Sequence, residues 1–121
     1  MRKQGVEPFS NTRQLMTAYY TVASAAANLV VLAGTASKNM VVYGMGLYSA
    51  KEGSLIAHFD GTLAVSNFIC GAQWGIVTAG GLAGQTVFFP FPVRCATQGY
   101  GVKVDSGTTD TGLVTLYYVL E

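Results

Sequence analysis

Apolar residues in this chain recur at every second position within short runs, and glycine or small polar residues stop each run after four to ten residues. Side chains of a strand alternate between two faces, so this period predicts β-structure, and no helical period persists beyond a turn or two. The runs predict strands at 28–33, 40–49, 54–59, 62–70, 85–89, 93–96, 101–105 and 112–120. In the second of these, Val41, Tyr43, Met45 and Leu47 alternate with Val42, Gly44, Gly46 and Tyr48. The two glycines on one face predict a shallow strip that another backbone or an aromatic ring can approach closely. Lys51-Glu52-Gly53 reads as a turn, and Asp60-Gly61 as a hairpin closure through its preference for positive φ. Residues 71–84 are too glycine-rich for a long strand, and Pro90 and Pro92 are expected to end the run before them at an extended edge. The last run, Gly-Leu-Val-Thr-Leu-Tyr-Tyr-Val-Leu, is apolar on both faces. It is expected to be covered on both, either centrally in a sheet with one face packed by a partner or at a subunit interface. Short strands with these punctuations indicate an all-β sandwich or barrel.

Composition narrows the functional classes. Half of the 121 residues are hydrophobic and only 11% are charged, with a formal net charge of +1, which is the reverse of a disordered composition. A monomer of this size exposes about 6,200 Å², or about one charged group per 480 Å². So thin a charged coat points to a surface covered by copies of the chain or by a larger partner. The charges are also unevenly placed: Arg2, Lys3, Glu7 and Arg13 fall within the first 13 residues. Residues 1–14 therefore read as an arm, in which Ser10 or Asn11 could cap a short helix, and residues 15–121 as a single domain. An arm of this composition is expected to lie against a neighbouring subunit. With no basic run, nucleic acid is not an expected partner. Arg2 and Lys3 ahead of the semi-apolar residues 15–22 imitate a secretion signal. Thr17, Tyr19, Tyr20 and Thr21 break the apolar region, however, and Glu7 and Pro8 are foreign to a signal. No stretch of about 20 residues lacks polar or glycine interruption, so neither a membrane helix nor a membrane partner is expected.

Candidate chemistry is sparse. Cys70 and Cys95, 25 apart and without a CxxC or a neighbouring histidine, are expected to be buried free thiols, although a disulfide between them is open. His58, with Asp60 two residues on, is the one acid–imidazole pair that the sequence offers; a hairpin end makes both solvated groups, and a third ligand for a metal is lacking. A His58–Cys70 couple has nothing basic near the thiol to favour a thiolate. Glu52, Asp60, Asp105 and Asp110 lie beside glycine or serine in expected turns, where acids are solvated and not paired for sugar cleavage. Gly44-x-Gly46, Gly80-Gly81 and Gly99-x-Gly101 lack the helix and the Lys-Ser/Thr of a phosphate loop. The chain is therefore expected to be neither an enzyme nor a cofactor or metal carrier. Trp74, Tyr100 and the tyrosines at 19, 20, 43, 48, 117 and 118 offer a sugar-stacking platform, or else core and interface area.

The order of features resembles a known group. An apolar strand, Gly-Thr-Ala-Ser-Lys (34–38), a long alternating strand (40–49), Asp-Gly-Thr (60–62), Val-Phe-Phe-Pro (87–90) and a closing Gly-Leu-Val-Thr-Leu-Tyr-Tyr-Val (112–119) resemble the small β-sandwich virion proteins of tailed bacteriophages over about residues 25–121. The resemblance implies an all-β, antiparallel, jelly-roll-like β-sandwich of about eight strands with an extended N-terminal arm. It implies a virion structural protein, made in the host cytoplasm, that decorates or cements the capsid as a homo-oligomer, with a trimer favoured. Its partners would be the major capsid protein or other virion proteins. Arg2, Lys3, Phe9 and Arg13 in the arm, and Tyr117 and Tyr118 in the last strand, are the interface candidates. The alternative is a tail or fibre component that binds host glycan through an exposed Trp74 or Tyr100 in a polar groove.

Overall fold

In a computed structural model, which describes residues 14–75, 83–107 and 111–121, the alternating runs become eight strands. They are β1 (Met16–Val22), β2 (Leu29–Leu32), β3 (Met40–Ser49), β4 (Gly53–Phe59), β5 (Phe68–Trp74), β6 (Ala83–Arg94), β7 (Val102–Gly107) and β8 (Gly112–Leu120). β1 pairs with β8, β2 with β7, β3 with β6 and β4 with β5, all antiparallel. Such nesting results when one long hairpin, its tip between β4 and β5, is rolled up. Further pairing of β3 with β8 and of β4 with β7 joins the pairs into two sheets, β1-β8-β3-β6 and β2-β7-β4-β5. The chain is thus an antiparallel β-sandwich with the strand order of a jelly roll.

The core lies between the sheets. Met40, Val42, Met45 and Leu47 of β3 and Val114, Leu116 and Tyr118 of β8 face Leu55, Ala57 and Phe59 of β4 and Val102 and Val104 of β7. Connections alternate between the two ends of the sandwich. At one end the β2–β3, β4–β5 and β6–β7 loops meet the C-terminus, tied by Gly99 N to Lys38 O (2.9 Å), Asp60 N to Gly101 O (3.1 Å) and Asn39 N to Glu121 O (2.8 Å).

Several expected boundaries move. Within residues 15–22, expected to be a semi-apolar run, Met16–Val22 form β1, because Thr17, Tyr19 and Thr21 are the outward half of a strand whose inward half is Met16, Ala18, Tyr20 and Val22. Residues 62–67 are not strand but a loop with a short 3-10 turn (Val65–Asn67), held by the Asn67 side chain, which donates to Thr62 O and accepts from Ala64 N. The paired strand β5 starts at Phe68 and continues through Gly71 to Trp74, inside the stretch expected to be irregular. Pro90 and Pro92 do not end a strand: β6 spans both expected runs as an edge strand, and only its pairing to β3 lapses between Phe88 and Val93. Alternation along β3 also breaks. Val42 pairs with Tyr118 and Gly44 with Tyr117, so Tyr43 is an extra residue, a bulge that lets Met40 and Val42 on one side and Met45 and Leu47 on the other all face inward.

Candidate functional site

The outer face of the β1-β8-β3-β6 sheet is built in rows across the strands. Thr17, Tyr117, Gly44 and Phe88 form one row; Tyr19, Thr115, Gly46 and Thr86 the next; Thr21, Leu113, Tyr48 and Gly84 the third. None of these residues is charged. The glycines shape the surface as expected: a Cβ at Gly44 would lie 2.7 Å from the Phe88 ring, and one at Gly46 would lie 2.4 Å from Thr115 Oγ1 and 2.8 Å from the Tyr48 ring. Side chains from the neighbouring strands, and the Tyr48 ring of β3 itself, therefore lie down over the β3 backbone. Phe88 and Tyr117 stack there with centroids 4.8 Å apart and planes inclined by 42°, and the Tyr48 hydroxyl bonds Thr86 Oγ1. Tyr19 and Phe88 remain 69% and 55% exposed. Thr115 Oγ1 is buried beneath this layer without a hydrogen-bond partner.

The interface candidates separate. Tyr117 belongs to this face, whereas Tyr118 points the other way and packs in the core. Arg2, Lys3, Phe9 and Arg13, and the expected helix cap at Ser10 or Asn11, lie outside the described residues.

His58 does not pair with Asp60. It is fully buried, and its Nε2 lies 2.9 Å from Oδ1 of Asp105 while its Nδ1 lies 2.7 Å from the Phe59 carbonyl. Asp105, expected in a turn, is in β7, where the register Ile56↔Asp105 sets it diagonally across from His58 on the same face. Its Oδ1 also accepts the Asn28 amide at 2.8 Å, so one carboxylate binds the start of β2, β7 and β4 together. The Phe59 carbonyl and the Asp105 carboxylate are thus both acceptors set against the ring. His58 is buried and Asp105 partly so, and their bonds are made within the fold, which suits the cluster to holding strands together. Among the described residues no group of three or more His, Cys, Asp or Glu could hold a metal ion.

The remaining candidates divide between two concavities. Along the side where β5 and β6 diverge, a cleft of about 390 Å³ is lined by Met45, Leu47, Cys70, Trp74 and Phe89, with Gln73 and Gln85 as its polar side chains. Trp74 therefore shares a cleft that is mainly apolar among the described residues. Cys70 and Cys95 are both free; Cys70 Sγ lies 3.8 Å from Met45 Sδ, and burial pushes its thiol up to about 11. Tyr100, in contrast, borders a groove of about 430 Å³ at the loop end of the sandwich, among Asp60, Ser66, Arg94 and Thr97. In comparisons with known proteins, the chain matches no family model, no curated protein and no solved structure.

Proposed function

We propose that this chain is a structural subunit of a bacteriophage particle, most simply a capsid decoration or cement protein that works by burying surface between its neighbours. The observation that carries the reading is the three successive uncharged rows on the outer face of the β1-β8-β3-β6 sheet, with Tyr19, Phe88 and Tyr117 on a glycine-flattened floor. A sheet face that meets only water carries charges among its outward residues, whereas interface centres are depleted of charge and enriched in tyrosine and phenylalanine. Jelly rolls are used in viral capsid domains, and also in lectins and cupins, so architecture supports the reading by analogy alone. The mechanism is interfacial. The face would seat on a second copy or on the major capsid protein, a closed homo-oligomer such as a trimer would present several such faces, and the chain would reside in the virion.

The test is purification and imaging of particles from cells that produce this chain. Stoichiometric recovery with the particle, and density for an eight-stranded sandwich on its surface, are the expected results. Particles that assemble and mature without the chain, and never contain it, would overturn the reading.

A further inference from the structure

We infer that the groove at the loop end of the sandwich is a binding site for an uncharged saccharide. The groove lies between the β4–β5 and β6–β7 loops, and its polar groups are unspent. The Asp60 carboxylate and the hydroxyls of Ser66, Thr97 and Tyr100 have no hydrogen-bond partner among the described residues. Arg94 gives Nε to Glu121 at 2.7 Å and keeps its terminal nitrogens free. Beside these donors and acceptors stand two partly exposed rings, Phe68 at 49% and Tyr100 at 39%. Convergent, unpaired polar groups next to an aromatic face match a pyranose, which offers vicinal hydroxyls on its rim and an apolar C–H face.

The charge balance selects within that class. The lining holds one acid and one base, so an anionic ligand meets Asp60 and a cationic one meets Arg94, while a purely apolar ligand would strip water from both. A neutral polyol meets neither penalty. Its recognition would use Asp60 as a bidentate acceptor for two hydroxyls, Arg94 as a donor and Tyr100 as the stacking surface.

The site is also preformed. Backbone bonds hold the residues on either side of Tyr100, Gly99 N to Lys38 O and Asp60 N to Gly101 O. A Cβ at Gly34 would lie 1.9 Å from Gly99 O, so the β2–β3 and β6–β7 loops touch backbone to backbone. On the opposite wall, Asn67 fixes the β4–β5 loop through Ala64 N, Thr62 O and the carbonyls of Phe59 and Asp60. Little ordering therefore remains for a ligand to impose, which favours binding of a small, weakly hydrophobic molecule.

This inference does not rest on the particle reading, because the groove lies at the loop end of the sandwich and shares no residue with the three uncharged rows. Saturation-transfer NMR of the purified chain with the methyl glycosides of glucose, galactose and mannose, and with sialyllactose as the anionic comparison, tests it. Transfer to the ring protons of at least one neutral glycoside is expected. Affinity should fall about tenfold or more in Tyr100→Ala and in Asp60→Asn, the loss of one stacking surface or one charged acceptor. It should be unchanged in Tyr19→Ala, which is on the other face. Asp60→Asn is nearly isosteric and keeps the test alive if Tyr100→Ala folds poorly. No transfer to any neutral glycoside, preference for sialyllactose, or equal transfer in the wild type and both groove variants would each overturn the inference.

Discussion

At the level of single residues, close backbone approach and burial dictate the strongest consequences. Gly34 is the contact point of two loops, and any side chain there meets Gly99 O and the Tyr100 backbone. Gly34→Ala is expected to lower stability by about 2 kcal/mol, the scale of an overpacked core site, and to weaken saccharide binding by displacing Tyr100. Chemical denaturation measures the first effect; an unchanged midpoint would mean that the loops part freely. Cys70 gives a second residue-scale prediction. Its thiol titrates at about 11 where an open thiol titrates at 9.0, because burial disfavours the thiolate. At pH 8 its alkylation by iodoacetamide should be about 100-fold slower in the folded protein than in the denatured chain, the ratio that two pK units set. The linkage has a definite sign: the unfolded chain loses the proton first, so this group's contribution to stability is full below pH 9 and declines as pH rises towards 11. A urea midpoint that rises between pH 9 and 11 in the wild type relative to Cys70→Ala would contradict it.

Elements were legible in the sequence where a long apolar run was bounded on both sides by turn residues. β3 and β8 keep the expected limits, 40–49 and 112–120, since both are long and central and their inward positions are consistently apolar. β1 was hidden because its inward set includes Ala18 and Tyr20, and its outward threonines resemble interruptions of an apolar run instead of one face of a strand. In β6 the prolines signal termination locally, but an edge strand has one side without ladder bonds and tolerates them. The Tyr43 bulge has no local signal, being visible only against the register of β8. The same limit explains the candidate groups. His58 and Asp105 are 47 residues apart and meet only because β4 and β7 are neighbours, so sequence proximity suggested Asp60 instead. Tyr100 stands out by its residue type, yet its polar neighbours come from separate segments of the chain. The β2–β7–β4 linkage through Asp105 carries its own prediction. Asp105→Ala would leave a fully buried imidazole and the Asn28 amide without their acceptor. Because Asp105 is itself 23% exposed, the loss should be about 2–3 kcal/mol, below that of a fully enclosed pair. Leu55→Ala in the core, at about 2–5 kcal/mol, provides the scale in the same denaturation experiment. An Asp105→Ala midpoint equal to the wild type would show that His58 needs no partner.

For the whole molecule, the sparse charge acquires a location. Four of the 13 charged residues precede residue 14, and the β1-β8-β3-β6 sheet presents three successive outward rows with none, the Arg94 of the next row lying at their margin. That absence allows a second copy to be the partner, since like faces that carry charge repel one another, whereas uncharged ones meet without electrostatic cost. Geometry limits the strength of such a contact. Four strands about 4.8 Å apart and about six residues long give a flat footprint on the order of 400 Å², roughly half of the 800 Å² per partner in a standard interface. The face alone should therefore support weak association, and a stable assembly needs further area from residues outside the three rows; removing residues 1–13 is expected to weaken it. Introducing charge should abolish it. Tyr19→Lys with Phe88→Lys places two lysines at exposed positions on opposite strands of the sheet, so a face-to-face pair would bury four uncompensated charges. Sedimentation equilibrium of the wild type should show association that persists in 0.5 M salt, because no exposed ion pairs hold it. The double variant should be monomeric with an unchanged thermal melt, while Val65→Lys, at a 98% exposed position in the loop before β5, should associate as the wild type does. Association that survives both lysines would move the contact to another surface and leave the uncharged face without its partner.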